Sequence, residues 1–115
     1  MSSNNFKNIA LKKPSLDYFE VSGEYVLPKN ISKMAIVVLA KKSSNAPEVQ
    51  GLAAFNDRRS GETVSFYVRT SRYINEYSDF EFRVLTGVDP LHMKNLNEYE
   101  IIETNTVPIT ASLMR

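Results

Sequence analysis

Apolar and polar residues alternate through residues 17–27, with Phe19, Val21, Tyr25 and Leu27 on one side and Tyr18, Glu20, Ser22 and Glu24 on the other. A period of two is that of a strand with one buried face, and Gly23 inside it marks an expected bulge. After the turn Pro28-Lys29-Asn30, residues 34–42 are apolar on both faces and rich in β-branched side chains, as a central strand requires. This run is too short for an ordinary helix. Residues 43–47 (SSNAP) read as a loop. Residues 49–55 and 62–70 then flank Asn56-Asp57-Arg58-Arg59-Ser60-Gly61, which predicts a hairpin.

The second arm of that hairpin turns Val64, Phe66 and Val68 inward and Ser65, Tyr67 and Arg69 outward. Phe80, Phe82 and Val84 repeat the inward pattern after the polar stretch 71–79, so two aromatic-rich strands share a core. Asp89-Pro90-Leu91 sets a capping side chain before a proline at the first helical position, predicting one short helix near residues 90–96. Residues 99–106 form a last strand, and 107–113 continue it past Pro108, which is confined to an edge or a bulge. About six strands joined by turns, without crossover helices, make the chain all-β: a small antiparallel barrel or sandwich. The two stay open, because strand number and spacing fit both. Residues 1–15 are polar and end in Lys12-Lys13-Pro14-Ser15, so they are expected to be a mobile N-terminal arm anchored at most by Phe6 and Ile9. Residues 16–115 are then a single all-β domain.

Composition closes several classes of function. Among 115 residues, 43% hydrophobic, there is no cysteine, which excludes disulfides, thiolate metal sites and a cysteine nucleophile. The one histidine, His92, excludes paired-histidine metal sites, and none of the common glycine-rich nucleotide or hydrolase spacings occurs. No cofactor or metal is implied, and an enzyme built on His92 and carboxylates is the least supported reading. The longest apolar run, residues 34–40, is far below the roughly 20 residues of a membrane helix. With no secretory signal pattern and no cysteine, the expected location is the cytoplasm. The tripeptide Asn30-Ile31-Ser32 is a glycosylation sequon with no meaning outside secretion.

Net charge is +1, but residues 1–47 carry seven lysines against three acids, while residues 48–115 are acidic. Within that frame the outward side of the second hairpin arm and its flanks collect Arg58, Arg59, Tyr67, Arg69, Arg72 and Tyr73. Arginines track phosphates and exposed aromatic rings stack on unpaired bases, so this combination suits single-stranded nucleic acid. Lys12 and Lys13 on the expected arm add electrostatic attraction, with Lys7, Lys29 and Lys33, while Lys41 and Lys42 at the end of the central strand guard it against edge-to-edge association. The plainer reading is that the tyrosines cover the sheet's second face and the arginines pair with Glu62, Glu76, Asp79 and Glu81. Those last three acids lack the order of a calcium loop and read as solvated.

Two functions follow. The first is a non-catalytic protein that contacts single-stranded nucleic acid through the Tyr/Arg face. The alternative is a structural or assembly protein, such as a small virion component, that joins copies or a protein partner through sheet edges and terminal arms. For the latter, Glu98, Glu100 and Glu103 would form an acidic edge, and the apolar tail 107–114 would pack on its own core or on a neighbour's sheet.

Overall fold

The computed structural model describes residues 5–43 and 45–114. Among the described residues seven strands follow one another: β1 (Phe6–Ser15), β2 (Tyr18–Val26), β3 (Ile31–Lys41), β4 (Glu48–Arg58), β5 (Thr63–Ser71), β6 (Asp79–Thr86) and β7 (Glu100–Pro108). They form two antiparallel sheets, in the orders β1-β2-β5 and β4-β3-β6-β7, and the fold is a sandwich. Constant-type immunoglobulin domains keep the fourth strand with the first, second and fifth; here it is moved beside the third.

β3 is central and buried on both faces, as its double-sided apolar run requires. Met34, Ile36, Val38 and Ala40 meet Phe19, Val21, Tyr25, Val64, Phe66, Phe80 and Phe82 between the sheets. Phe66 and Phe82 touch across the layers at a centroid distance of 5.7 Å. The opposite side chains, Ala35, Val37 and Leu39, form a second cluster with Leu85, Val88 and Tyr99, against which Leu52 and Leu96 pack. Val88, Leu96 and Tyr99 belong to the β6–β7 connection, which folds back as a strap over the outer face of the four-stranded sheet. The Tyr99 hydroxyl accepts the Lys94 amide at 2.8 Å and pins the strap.

Five expectations change. The arm expected over residues 1–15 contributes β1, and only residues 1–4 of it lie outside the described residues. Phe6 and Leu11 are core side chains, Phe6 standing 4.7 Å from the Tyr25 ring. Lys7, Lys12, Lys13 and Pro14 hid the strand because β1 is an edge strand, where polar side chains and proline are tolerated. The bulge expected at Gly23 lies on the partner instead: β1 gains a residue between Lys7 and Ala10, with Asn8 at φ 56°. Ile9 and Phe66 occupy the space a Gly23 side chain would need; the Phe66 ring is 2.9 Å from the position of a Cβ.

The hairpin expected across residues 56–61 is absent. β4 ladders on β3 and β5 on β2, so the chain arches from one sheet to the other. Turn chemistry reverses a chain without choosing its neighbours. The arch is tied to the β2–β3 connection, Leu27 donating to the Glu62 carbonyl at 2.9 Å and Gly61 donating to the Leu27 carbonyl at 2.8 Å. Gly51 lets β4 approach β5, since a Cβ there would stand 2.7 Å from Val68 Cγ1. The helix expected near residues 90–96 is a turn followed by a 3-10 turn, Leu96–Glu98. Asp89 accepts the Leu91 amide at 3.0 Å, which closes a local turn, and Leu91 buries no apolar face that would sustain a helix.

The acidic edge expected from Glu98, Glu100 and Glu103 does not form. Glu98 closes a capping box with Asn95, and Glu100 accepts the Thr86 hydroxyl at 3.2 Å. Glu103 instead clamps β7 to β1: it accepts Asn5 N–H at 3.1 Å, Asn5 Nδ2 at 3.0 Å and the buried Tyr25 hydroxyl at 3.3 Å. The tail packs on its own domain, with Ile109 and Leu113 against the core and Met114 bridged to Leu11.

Burial and the neighbouring Glu103 charge push the Tyr25 hydroxyl well above the ordinary tyrosine range. A raised folded value means stability present below about pH 10 and lost above it, as the unfolded chain ionises first. Tyr25→Phe is therefore expected to cost about 1 kcal/mol near neutrality and to flatten the decline above pH 10, measured by urea unfolding. Deleting residues 1–13 removes Phe6 and Leu11 from the core and is expected to cost at least about 5 kcal/mol in the same assay. A truncated chain of unchanged stability would contradict the assignment of β1.

Candidate nucleic-acid interface

Among the described residues no strap covers the three-stranded sheet, and its outer face carries the side chains that alternate away from the core. On β5 these are Thr63, Ser65, Tyr67, Arg69 and Ser71, all exposed, while Val64, Phe66, Val68 and Thr70 are buried between them. The β2–β5 ladder is unbroken from Tyr18↔Ser71 to Val26↔Thr63, and it pairs Glu20 with Arg69 and Ser22 with Tyr67. β1 extends the first of these rows, because Lys12 pairs with Glu20. One row of the face thus reads Lys12, Glu20, Arg69, and the next carries Tyr67 opposite Ser22.

Tyr67 is 67% exposed, so its ring is available to a flat partner. Arg69 lies two residues along, roughly 7 Å away on the same strand. Its guanidinium sits 4.7 Å from the centroid of the Tyr18 ring, a contact worth about 0.5–1 kcal/mol that also fixes the direction of the charge. Past the end of β5, Arg72 lies over the Tyr73 ring at 4.8 Å and donates to its hydroxyl at 2.6 Å. Tyr73 is 49% exposed. Tyr67, Arg69 with Tyr18, and Arg72 with Tyr73 therefore follow one another along and beyond β5.

Arg58 and Arg59 do not join them. They sit on the arch at the opposite end of β5, where Arg58 stacks on Phe55 at 5.5 Å and faces Glu62 at 3.9 Å. The sequence reading places them at a hairpin tip; that tip is an arch between the sheets, at the end of β5 away from Arg72 and Tyr73. Lys13 also leaves the face, its ammonium lying 5.1 Å from the Phe19 ring. Of the eight side chains singled out in the sequence, the outer face carries Lys12, Tyr67 and Arg69, and Arg72 and Tyr73 lie in the turn that follows β5. Tyr18 and Glu20 were missed. Their outward direction was legible in the alternation of β2, but their place beside Arg69 depends on the β2–β5 pairing.

Other candidates disperse. Glu81 pairs with Arg83 on the opposite sheet, Asp79 accepts the Ser78 hydroxyl at 3.0 Å and Glu76 lies in a 3-10 turn. Among the described residues no group of three or more His, Asp or Glu side chains is placed to hold a metal. No described helix is long and apolar enough to cross a membrane. His92 is exposed in the turn after Asp89, whose carboxyl is held below the usual range by the Leu91 amide and by Lys33.

No protein-family model matches the chain, and no curated protein does. Among solved structures, β-glucosidase 3B from Thermotoga neapolitana, in complex with α-D-glucose, is similar over 91% of this chain and 15% of its own, at 11% identity and TM-score 0.47. A GH3 β-glucosidase from Bifidobacterium adolescentis is similar over 90% of this chain and 16% of its own, at 11% identity and TM-score 0.42. The chain thus spans a small fraction of either enzyme, and the likeness bears on no residue of the face described above.

Because Tyr67 is mostly exposed, Tyr67→Thr, which keeps a strand-forming residue, is expected to change stability by less than about 0.5 kcal/mol in thermal or urea unfolding. A larger loss would show that the ring belongs to the packing of the sheet.

Proposed function

We propose that this chain is a non-catalytic binding protein that holds single-stranded nucleic acid along β5, on the outer face of the three-stranded sheet. The observation that carries the reading is the exposed Tyr67 ring with two cations beside it, Arg69 on the same strand and Lys12 two strands across. A base unstacked from its neighbours lies on the ring, and the adjoining phosphates meet the cations. Duplex DNA hides the faces of its bases and gains nothing from the ring, so the single strand is preferred. Tyr73 and Arg72 offer a second ring and charge further along. A chain without cysteine is suited to a reducing compartment, and the cytoplasm is where we expect it to act.

A second reading, assembly with a protein partner or another copy, rests on Leu91, 86% exposed on the β6–β7 strap, with Met93 beside it in sequence. Terminal arms no longer support it, since β1 is laddered to β2 and the tail packs on the core.

Fluorescence anisotropy of a labelled single-stranded oligonucleotide, at low and moderate salt and with a duplex of equal length, separates the two. Preferential single-strand binding that weakens with salt is expected. Tyr67→Thr or Arg69→Ala should weaken it by roughly fivefold to a hundredfold, and Arg58→Ala, at the far end of β5, should change it little. No binding at low salt, or equal losses from Arg58 and Arg69, would overturn the proposal. Light scattering of wild type against Leu91→Ser would then test assembly, which requires a mass above that of the monomer and a fall on substitution.

A further inference from the structure

The proposed face is not uniformly basic. Glu20 stands between Lys12 and Arg69 in their cross-strand row, half buried, and its carboxylate has neither a hydrogen bond nor an ion pair among the described residues. Glu24, two residues on, is already used by Asn8 Nδ2 at 2.5 Å. Lys12, Glu20, Ser22 and Tyr67, with the Asn8-bonded Glu24, line one open depression of about 330 Å³ over the Gly23↔Phe66 pair. Glu20 and Tyr67 are diagonal neighbours on the ladder, roughly 7–8 Å apart, so an edge of a base lying on the ring comes within reach of the carboxylate.

A surface that only gripped phosphates would be weakened by an anion between its two cations. The arrangement fits a planar group that donates hydrogen bonds from one edge and carries negative charge on either side. Among the common bases, guanine alone presents two adjacent donors, N1–H and the N2 amine, on its Watson–Crick edge, matching the two oxygens of a carboxylate. Adenine and cytosine offer one donor beside an acceptor there, and thymine one donor between two acceptors. We propose, resting on the single-strand reading above, that this depression is a guanine site. The base stacks on Tyr67, its N1–H and N2 amine donate to Glu20, and the flanking phosphates meet Lys12 and Arg69. An arginine side chain from a protein partner would also stack on Tyr67 and pair with Glu20, but it would lie between two like charges.

The test uses the full chain and short thymidine oligomers carrying one central guanine, hypoxanthine, adenine or thymine, read by anisotropy. Guanine is expected to bind roughly fivefold to a hundredfold more tightly than adenine or thymine, with hypoxanthine, which lacks the N2 amine, between them. Glu20→Gln should erase that preference and strengthen binding to the all-thymidine oligomer, because a charge repelling phosphate is removed. Glu24→Gln should keep the preference, and melting curves of both variants show whether they are folded. Equal binding of all four oligomers, or a preference that survives Glu20→Gln, overturns the guanine site and leaves the single-strand reading standing. No binding of any oligomer overturns both. An arginine-rich peptide that binds and is lost with Glu20→Gln, while the oligomers show no preference, would assign the depression to a protein partner instead.

Discussion

The fold turns on β3, which carries apolar side chains on both faces and must be covered twice. Leaving either face in water would expose several Val, Ile and Leu side chains, each worth about 1.5–3 kcal/mol when buried. The inner face is covered by the three-stranded sheet, and the outer face by the strap that runs from Val88 to Tyr99. These two demands explain why the connection between β6 and β7 is long while the other hairpins are short. They also decide which surface stays free. Once the four-stranded sheet is covered on its outer side, the outer face of the three-stranded sheet is the open, ordered plane that remains, and the exposed aromatic ring of Tyr67 stands there.

That plane is assembled from distant parts of the chain. Lys12, Glu20 and Arg69 are brought into one row by two antiparallel ladders, and the bulge between Lys7 and Ala10 shifts β1 by one residue, which sets Lys12 opposite Glu20. Rigid sheet positions place a ring, a carboxylate and two cations at spacings set by the ladder rather than by loop conformation, so little order has to be acquired on binding.

Much of this was legible in the alternation of side chains. The inward sets of β2, β5 and β6 and the double-sided burial of β3 follow from period and polarity alone, because burial acts on each strand whatever its neighbour. Neighbours were not legible. The turn at residues 56–61 has the composition of a hairpin and serves as an arch between sheets, since turn residues fix reversal and the matching of inward faces fixes pairing. That one difference gave β5 the neighbour β2 in place of β4 and brought Tyr18 and Glu20 beside Arg69. β1 was obscured for another reason: an edge strand shows water one face and one edge, so its polar residues outnumber Phe6, Ala10 and Leu11 and resemble those of a loose terminus.

The central claim is that the outer face of the three-stranded sheet, and no other surface, meets the nucleic acid. Titrating isotope-labelled protein with a short single-stranded oligonucleotide and following backbone amide shifts by NMR tests it residue by residue. The account predicts the largest changes at Lys12, Glu20, Ser22, Tyr67 and Arg69, continuing toward Arg72 and Tyr73, with Arg58, Arg59 and the strap unmoved. Changes concentrated at the arch, at the β2–β3 connection and at Leu91 would contradict it and move the functional surface to that end of the sandwich.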